Sequence, residues 1–118
     1  MKKIILSVAL ITIGLAACKT KQKVTAEKPK VDCGTAIYVY AVDIKPIMDE
    51  HCVKCHNANL KAGYNFQDEA YVKKAAVSGE LLGTIKHKKG FAKMPAMAPQ
   101  LDQETINKIE CWINGGMN

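Results

Sequence analysis

The densest chemistry in the chain lies in five consecutive residues, Cys52-Val53-Lys54-Cys55-His56. Two thiols one helical turn apart can add to the two vinyl groups on one edge of a porphyrin. The imidazole that follows then reaches the iron from one face. C-x-x-C-H therefore predicts one covalently attached haem, with Cys52 and Cys55 as thioether links and His56 as the proximal iron ligand. Other readings of C-x-x-C need different surroundings. A thioredoxin-like dithiol expects a βαβ setting, and a zinc half-site expects a second C-x-x-C or an H-x₃-H, neither of which follows the motif.

A six-coordinate iron needs a second axial ligand. Met94-Pro95 lies 38 residues after His56, in a stretch rich in Gly and Pro. A thioether is soft and suits low-spin iron. Pro95 biases Met94 away from helix and stiffens the segment that would hold the sulfur. Met94 is the first candidate, with Met97, His87 or an open sixth position as alternatives. His51, just before the first motif Cys, reads as a surface or haem-edge residue.

The elements that must position these groups occupy only part of the chain. Of 118 residues, 17 are Lys, none is Arg and 11 are acidic, a net charge of +6. That length allows one small domain and excludes Rossmann, TIM-barrel and kinase-sized enzymes. Lys2 and Lys3 precede an apolar run over residues 4–17, too short to span a bilayer comfortably and suited to a secretory h-region. It ends in Leu15-Ala16-Ala17-Cys18, a bacterial lipobox in which Cys18 would be lipidated and become the new N-terminus. Export places the rest of the chain in an oxidising compartment.

Residues 19–31 carry five Lys and one Glu with no apolar periodicity, and read as a solvated tether. The remaining core, residues 32–118, holds ten Lys and ten acidic residues. A folded part of zero net charge argues against nucleic acid as a partner. The expected organisation is a lipoprotein signal over 1–17, a lipidated Cys18 and Lys-rich tether over 18–31, and one domain over 32–118.

Within the core, residues 36–42 (AIYVYAV) read as an extended lead-in. Asp43 is a candidate N-cap for a helix from about 44 to 55, with Pro46 tolerated in its first turn. Residues 68–78 read as a second helix stopped by Gly79, and residues 80–87 as a short third. Asp102 caps a final helix to about 114, with Gly115-Gly116 as its stop. There Ile106, Ile109 and Ile113 share one face, with Trp112 beside them. Three or four short helices make a thin core, which a haem would supplement.

CVKCH, then MP in a loop, then a terminal I-x-x-I-x-x-W-I-x-x-G over Ile106, Ile109, Trp112, Ile113 and Gly116 resembles the class I cytochrome c family. "DIKPIMDEHCVKCHNANLKAG", "GELLGTIKHKKGFAKMP" and "LDQETINKIECWINGG" look like the small monohaem cytochrome c domains common in Bacteroidetes-type bacteria. The resemblance covers about residues 33–116. It implies an all-α fold around one haem c, with crossing N- and C-terminal helices and a partly exposed haem edge. It also implies Cys52 and Cys55 as thioether links, His56 as proximal ligand and Met94 as distal ligand.

Two Cys are then left, Cys33 and Cys111, and an oxidising compartment favours their pairing over two unpaired thiols with Cys111 simply buried beside Trp112. Lys86, Lys88, Lys89 and Lys93 cluster just before Met94, either as a solvated loop or as a positive rim that steers an acidic redox partner. The expectation is a monomeric, membrane-tethered one-electron carrier between unnamed redox proteins, periplasm-facing in a Gram-negative cell. Lys19 after Cys18 lacks the Asp-type retention signal and favours the outer membrane there. No residue set for substrate catalysis is visible, so the chain is not expected to be an enzyme. The rivals are a haem sensor or weak peroxidase with an open or labile sixth position, a subunit whose haem is mainly structural, and a non-haem thiol–disulfide protein.

Overall fold

The computed structural model describes residues 31–59 and 63–118. The signal segment, Cys18 and nearly all of the Lys-rich tether lie outside the described residues. Among the described residues there are four α-helices and no strand: α1 (Lys45–His51), α2 (Glu69–Val77), α3 (Glu80–Ile85) and α4 (Gln103–Asn114). The all-α expectation holds at this level. No helix among them is long and apolar enough to cross a membrane.

The helical path begins earlier than the sequence suggests. A π-helical turn over Tyr40–Ile44 runs straight into α1, with the Lys45 amide donating to the Tyr40 carbonyl five residues back. Val39, extended, is the N-terminal boundary. Asp43 is therefore not the cap of α1. Its carboxylate instead accepts the Val39 amide at 2.8 Å, and its own amide donates to the Val39 carbonyl at 2.8 Å. Pro46 gives the physical reason. Its ring crowds the carbonyl four residues earlier and offers no N–H, and a widened turn before it relieves both. Val39 is extended, but residues 40–42 of the expected extended lead-in belong to the π-helical turn.

Later boundaries follow their capping residues. Asp68 accepts from the Ala70 amide at 2.9 Å to start α2, and Asp102 accepts from the Thr105 amide at 2.8 Å to start α4. The Thr105 amide and hydroxyl, donating to that exposed carboxyl, hold it below its ordinary range. Gly79, at φ +79, ends α2 and opens α3. Helix α3 stops at Ile85, two residues short of the expected end, and closes in a Schellman pattern. The Lys88 amide donates to the Gly83 carbonyl at 2.9 Å and the His87 amide to Thr84 at 3.1 Å. Helix α4 closes the same way, through Met117 N–H to the Trp112 carbonyl at 3.0 Å and Gly116 N–H to Ile113 at 3.2 Å.

Helix α2 packs on α3, α3 on α4, and α4 on the π-helical turn. One apolar cluster results: Tyr40, Ile44 and Met48 from the first helical segment, Val72 and Ala75 from α2, Leu81 and Ile85 from α3, and Ile106, Ile109 and Trp112 from α4. On α4 Ile106 and Ile109 are buried, Trp112 beside them is 1% exposed, and Ile113 is half-buried against the same cluster. The indole packs on Tyr40 and its Nε1–H donates to the Asn118 carbonyl at 3.1 Å. The same carbonyl accepts the Tyr40 amide at 2.8 Å, so both ends of the domain meet there. A disulfide between Cys33 and Cys111, with Cα atoms 5.5 Å apart, ties the lead-in to α4 at a second point.

Candidate functional site

Helix α1 ends at His51, short of the expected end near residue 55, and the motif residues follow it in hydrogen-bonded turns. Cys52 and Val53 amides both donate to the Met48 carbonyl at 2.9 Å; Cys55 and His56 amides donate to the Cys52 carbonyl at 3.1 and 2.9 Å. Asn57 Nδ2 donates to the Val53 carbonyl at 2.8 Å and satisfies a group the helix end leaves free. The backbone thereby sets two unpaired thiols one turn apart with the imidazole next in line. Cys55 is exposed and Cys52 half-buried. Burial pushes the Cys52 thiol up to about 11, because the low-dielectric surroundings penalise a thiolate.

His56 is held by the segment that follows. Its ring stacks on Phe66 with centroids 4.9 Å apart, and its carbonyl accepts the Phe66 amide at 2.8 Å. Tyr64 stacks on the same Phe66 at 5.7 Å, and its hydroxyl donates to Glu80 at the start of α3. His56 Nδ1 is buried and has no hydrogen-bond partner. A buried imidazole nitrogen left unmatched costs stability in a purely structural residue. Among the described residues it is also the one titratable side-chain nitrogen so left.

Met94 lies half-buried in the connection between α3 and α4. Its amide donates to the Thr84 carbonyl at 3.2 Å, and its carbonyl accepts from His87 Nε2 at 3.0 Å. The Met94–Pro95 peptide bond is cis. Gln100 Nε2, donating to the Ile85 carbonyl at 2.8 Å, ties the far end of the loop to α3. Met97 is 99% exposed, and His51 stays on the outer part of α1 near Glu50 at 3.8 Å.

The structure thus joins Cys52, Cys55 and His56 in one turn, and Cys33 with Cys111 in another region. No hydrogen bond or ring contact among the described residues links His56 to Met94; each is held by its own neighbours. The positive cluster is smaller than expected. Lys86 is paired with Glu110 on α4, which leaves Lys88, Lys89 and Lys93 exposed around the loop. Three roles were missed by reading the sequence: Phe66 against His56, and Thr84 and His87 on Met94. Three of the four contacts run through backbone carbonyls, which carry no residue-type signal.

The donor set fits a covalently attached haem: two free thiols at the attachment spacing, an imidazole with an unclaimed buried nitrogen, and a thioether on a tethered loop. No group of three or more His, Cys, Asp or Glu among the described residues is arranged to hold a metal ion. No protein family matches the chain, and no curated protein or solved structure matches it either.

Proposed function

We propose that this chain is a membrane-tethered monohaem c-type cytochrome, with a cytochrome c-like fold, that carries one electron between redox proteins. The observation that carries the reading is the C-x-x-C-H turn itself. It holds two unpaired thiols and, beside them, an imidazole whose buried nitrogen no protein group uses. When bound, haem c supplies a one-electron iron couple, which His/Met ligation raises in potential.

The chain's own residues bind, hold and bury. Cys52 and Cys55 would each add S–H across a vinyl double bond to form a thioether, with no leaving group. His56 would be the proximal ligand, its ring plane set by Phe66. Met94 would be the distal ligand, its backbone held by α3. His87 is less suited to the distal role, because its Nε2–H is already donated to the Met94 carbonyl. The lipid at Cys18 and the Lys-rich tether would keep the domain at a membrane surface while leaving it free to meet partners.

The covalent claim has a direct test. The acid-denatured, unreduced protein purified from a haem-competent host should keep a haem adduct in its intact mass and give a c-type pyridine haemochrome. The Cys52→Ser/Cys55→Ser double variant should lose both. A bare polypeptide mass for the wild type would contradict the proposal.

A further inference from the structure

We propose that His87 is the positioning residue for Met94, a side-chain clamp that keeps the thioether in place; the inference rests on Met94 being the sixth iron ligand. Both polar backbone groups of Met94 are taken by one short stretch of chain. Thr84 accepts its amide at 3.2 Å, and His87 Nε2 contacts its carbonyl at 3.0 Å. A carbonyl only accepts, so His87 must present Nε2–H.

The backbone of His87 makes this placement unusual. His87 sits at φ +50, in the left-handed position that closes the Schellman pattern of α3. At the same position of α4 stands Gly116, at φ +94. A residue with a Cβ is disfavoured there, and glycine is the common choice. Helix termination alone would therefore favour glycine at 87 as it does at 116. What the His side chain adds, and glycine cannot, is the bond across seven residues to Met94. A strained conformation retained with a specific contact points to the contact as its reason.

Glycine is for the same reason the sharpest test. His87→Gly suits the backbone, so a residue that merely closes a helix would be replaced without loss. The holoproteins to compare are wild type, His87→Gly, His87→Gln (which keeps an N–H of similar reach) and Met94→Ala. The readouts are the far-red Met–Fe(III) charge-transfer band and CO binding by the ferrous form.

In His87→Gly the proposal expects native helicity and haem content, a weakened band, and CO affinity raised about tenfold, the scale of one lost hydrogen bond. His87→Gln should stay within about twofold of wild type. The proposal is overturned if His87→Gly keeps the band and the wild-type CO affinity, or if His87→Gln is as defective as His87→Gly. A wild type without the band, unchanged by Met94→Ala, overturns the ligation reading itself and the clamp with it. That result is distinguishable because it appears before any substitution at 87.

Discussion

Tyr40 and Trp112 pack with ring centroids 5.8 Å apart and planes tilted by 42°, and through this contact the first helical turn of the domain closes on the last helix. The indole is fully used: it is buried, and its N–H finds the Asn118 carbonyl. The phenol is not, since its hydroxyl is buried without a partner. Desolvation by that burial, with lesser contributions from Glu69, Asp49 and Asp68, raises the Tyr40 pKa. Tyr40→Phe should therefore leave the stability of the holoprotein unchanged or raise it by up to about 1 kcal/mol, whereas Trp112→Ala should cost about 3–5 kcal/mol. Denaturant titrations of both variants check this. A clear loss in Tyr40→Phe would mean that the hydroxyl has a partner.

Cys33 and Cys111 are separated by 78 residues of sequence. Closing so long a loop is worth about 4 kcal/mol in the chain-entropy model. Thiol counting on the denatured, unreduced holoprotein should find essentially no free thiol, since Cys52 and Cys55 would be thioethers and Cys18 lipidated. The Cys33→Ser/Cys111→Ser variant should unfold at markedly lower denaturant while keeping its haem spectrum. Two free thiols in the wild type would contradict the pairing.

Gly83, in the middle of α3, is covered by the ring of Phe91, which lies where a Cβ would stand. Helix propensity alone would favour Gly83→Ala by about 1 kcal/mol. The clash should outweigh that gain, for a net loss of roughly 1–2 kcal/mol. Removing the ring should release it, so Phe91→Ala and Gly83→Ala combined should be more stable than the sum of the two single effects predicts. A double-mutant cycle in denaturant measures the coupling, and additivity within error would refute the contact.

Much of this architecture was legible in residue types. Asp68, Asp102, Gly79 and Gly116 act where capping chemistry puts them, and the helices they bound lie within a few residues of expectation. One error has a local cause: Asp43 was misread because Pro46 widens the turn before it. The C-x-x-C-H turn was legible because its residues are adjacent in sequence. The supports of His56 and Met94 were not, because they are an aromatic face from a later loop and hydrogen bonds to backbone carbonyls.

With Lys86 neutralised by Glu110, the exposed positive charge around the Met94 loop reduces to Lys88, Lys89 and Lys93. If these steer an acidic redox partner, the second-order rate of electron exchange should fall steeply as the Debye length shrinks from about 30 Å at 0.01 M salt to about 8 Å at 0.15 M. Lys89→Glu should slow it further at low salt, and Lys86→Gln should change it least of the four. Stopped-flow exchange with an acidic partner protein measures these rates. A flat salt profile would leave the lysines as an ordinary solvated loop.

The central claim, one electron carried at a haem held by Cys52, Cys55, His56 and Met94, is tested most directly by a redox-titrated absorption spectrum of the purified wild type, recorded with and without CO. The account predicts c-type haem bands that titrate in a single one-electron step, about 59 mV per tenfold change in the oxidised-to-reduced ratio. It also predicts a far-red charge-transfer band in the ferric form and a ferrous spectrum that CO leaves unchanged. Spectra without haem bands would contradict the cofactor, and ready CO binding by the wild type would contradict the filled sixth position on which the carrier role depends.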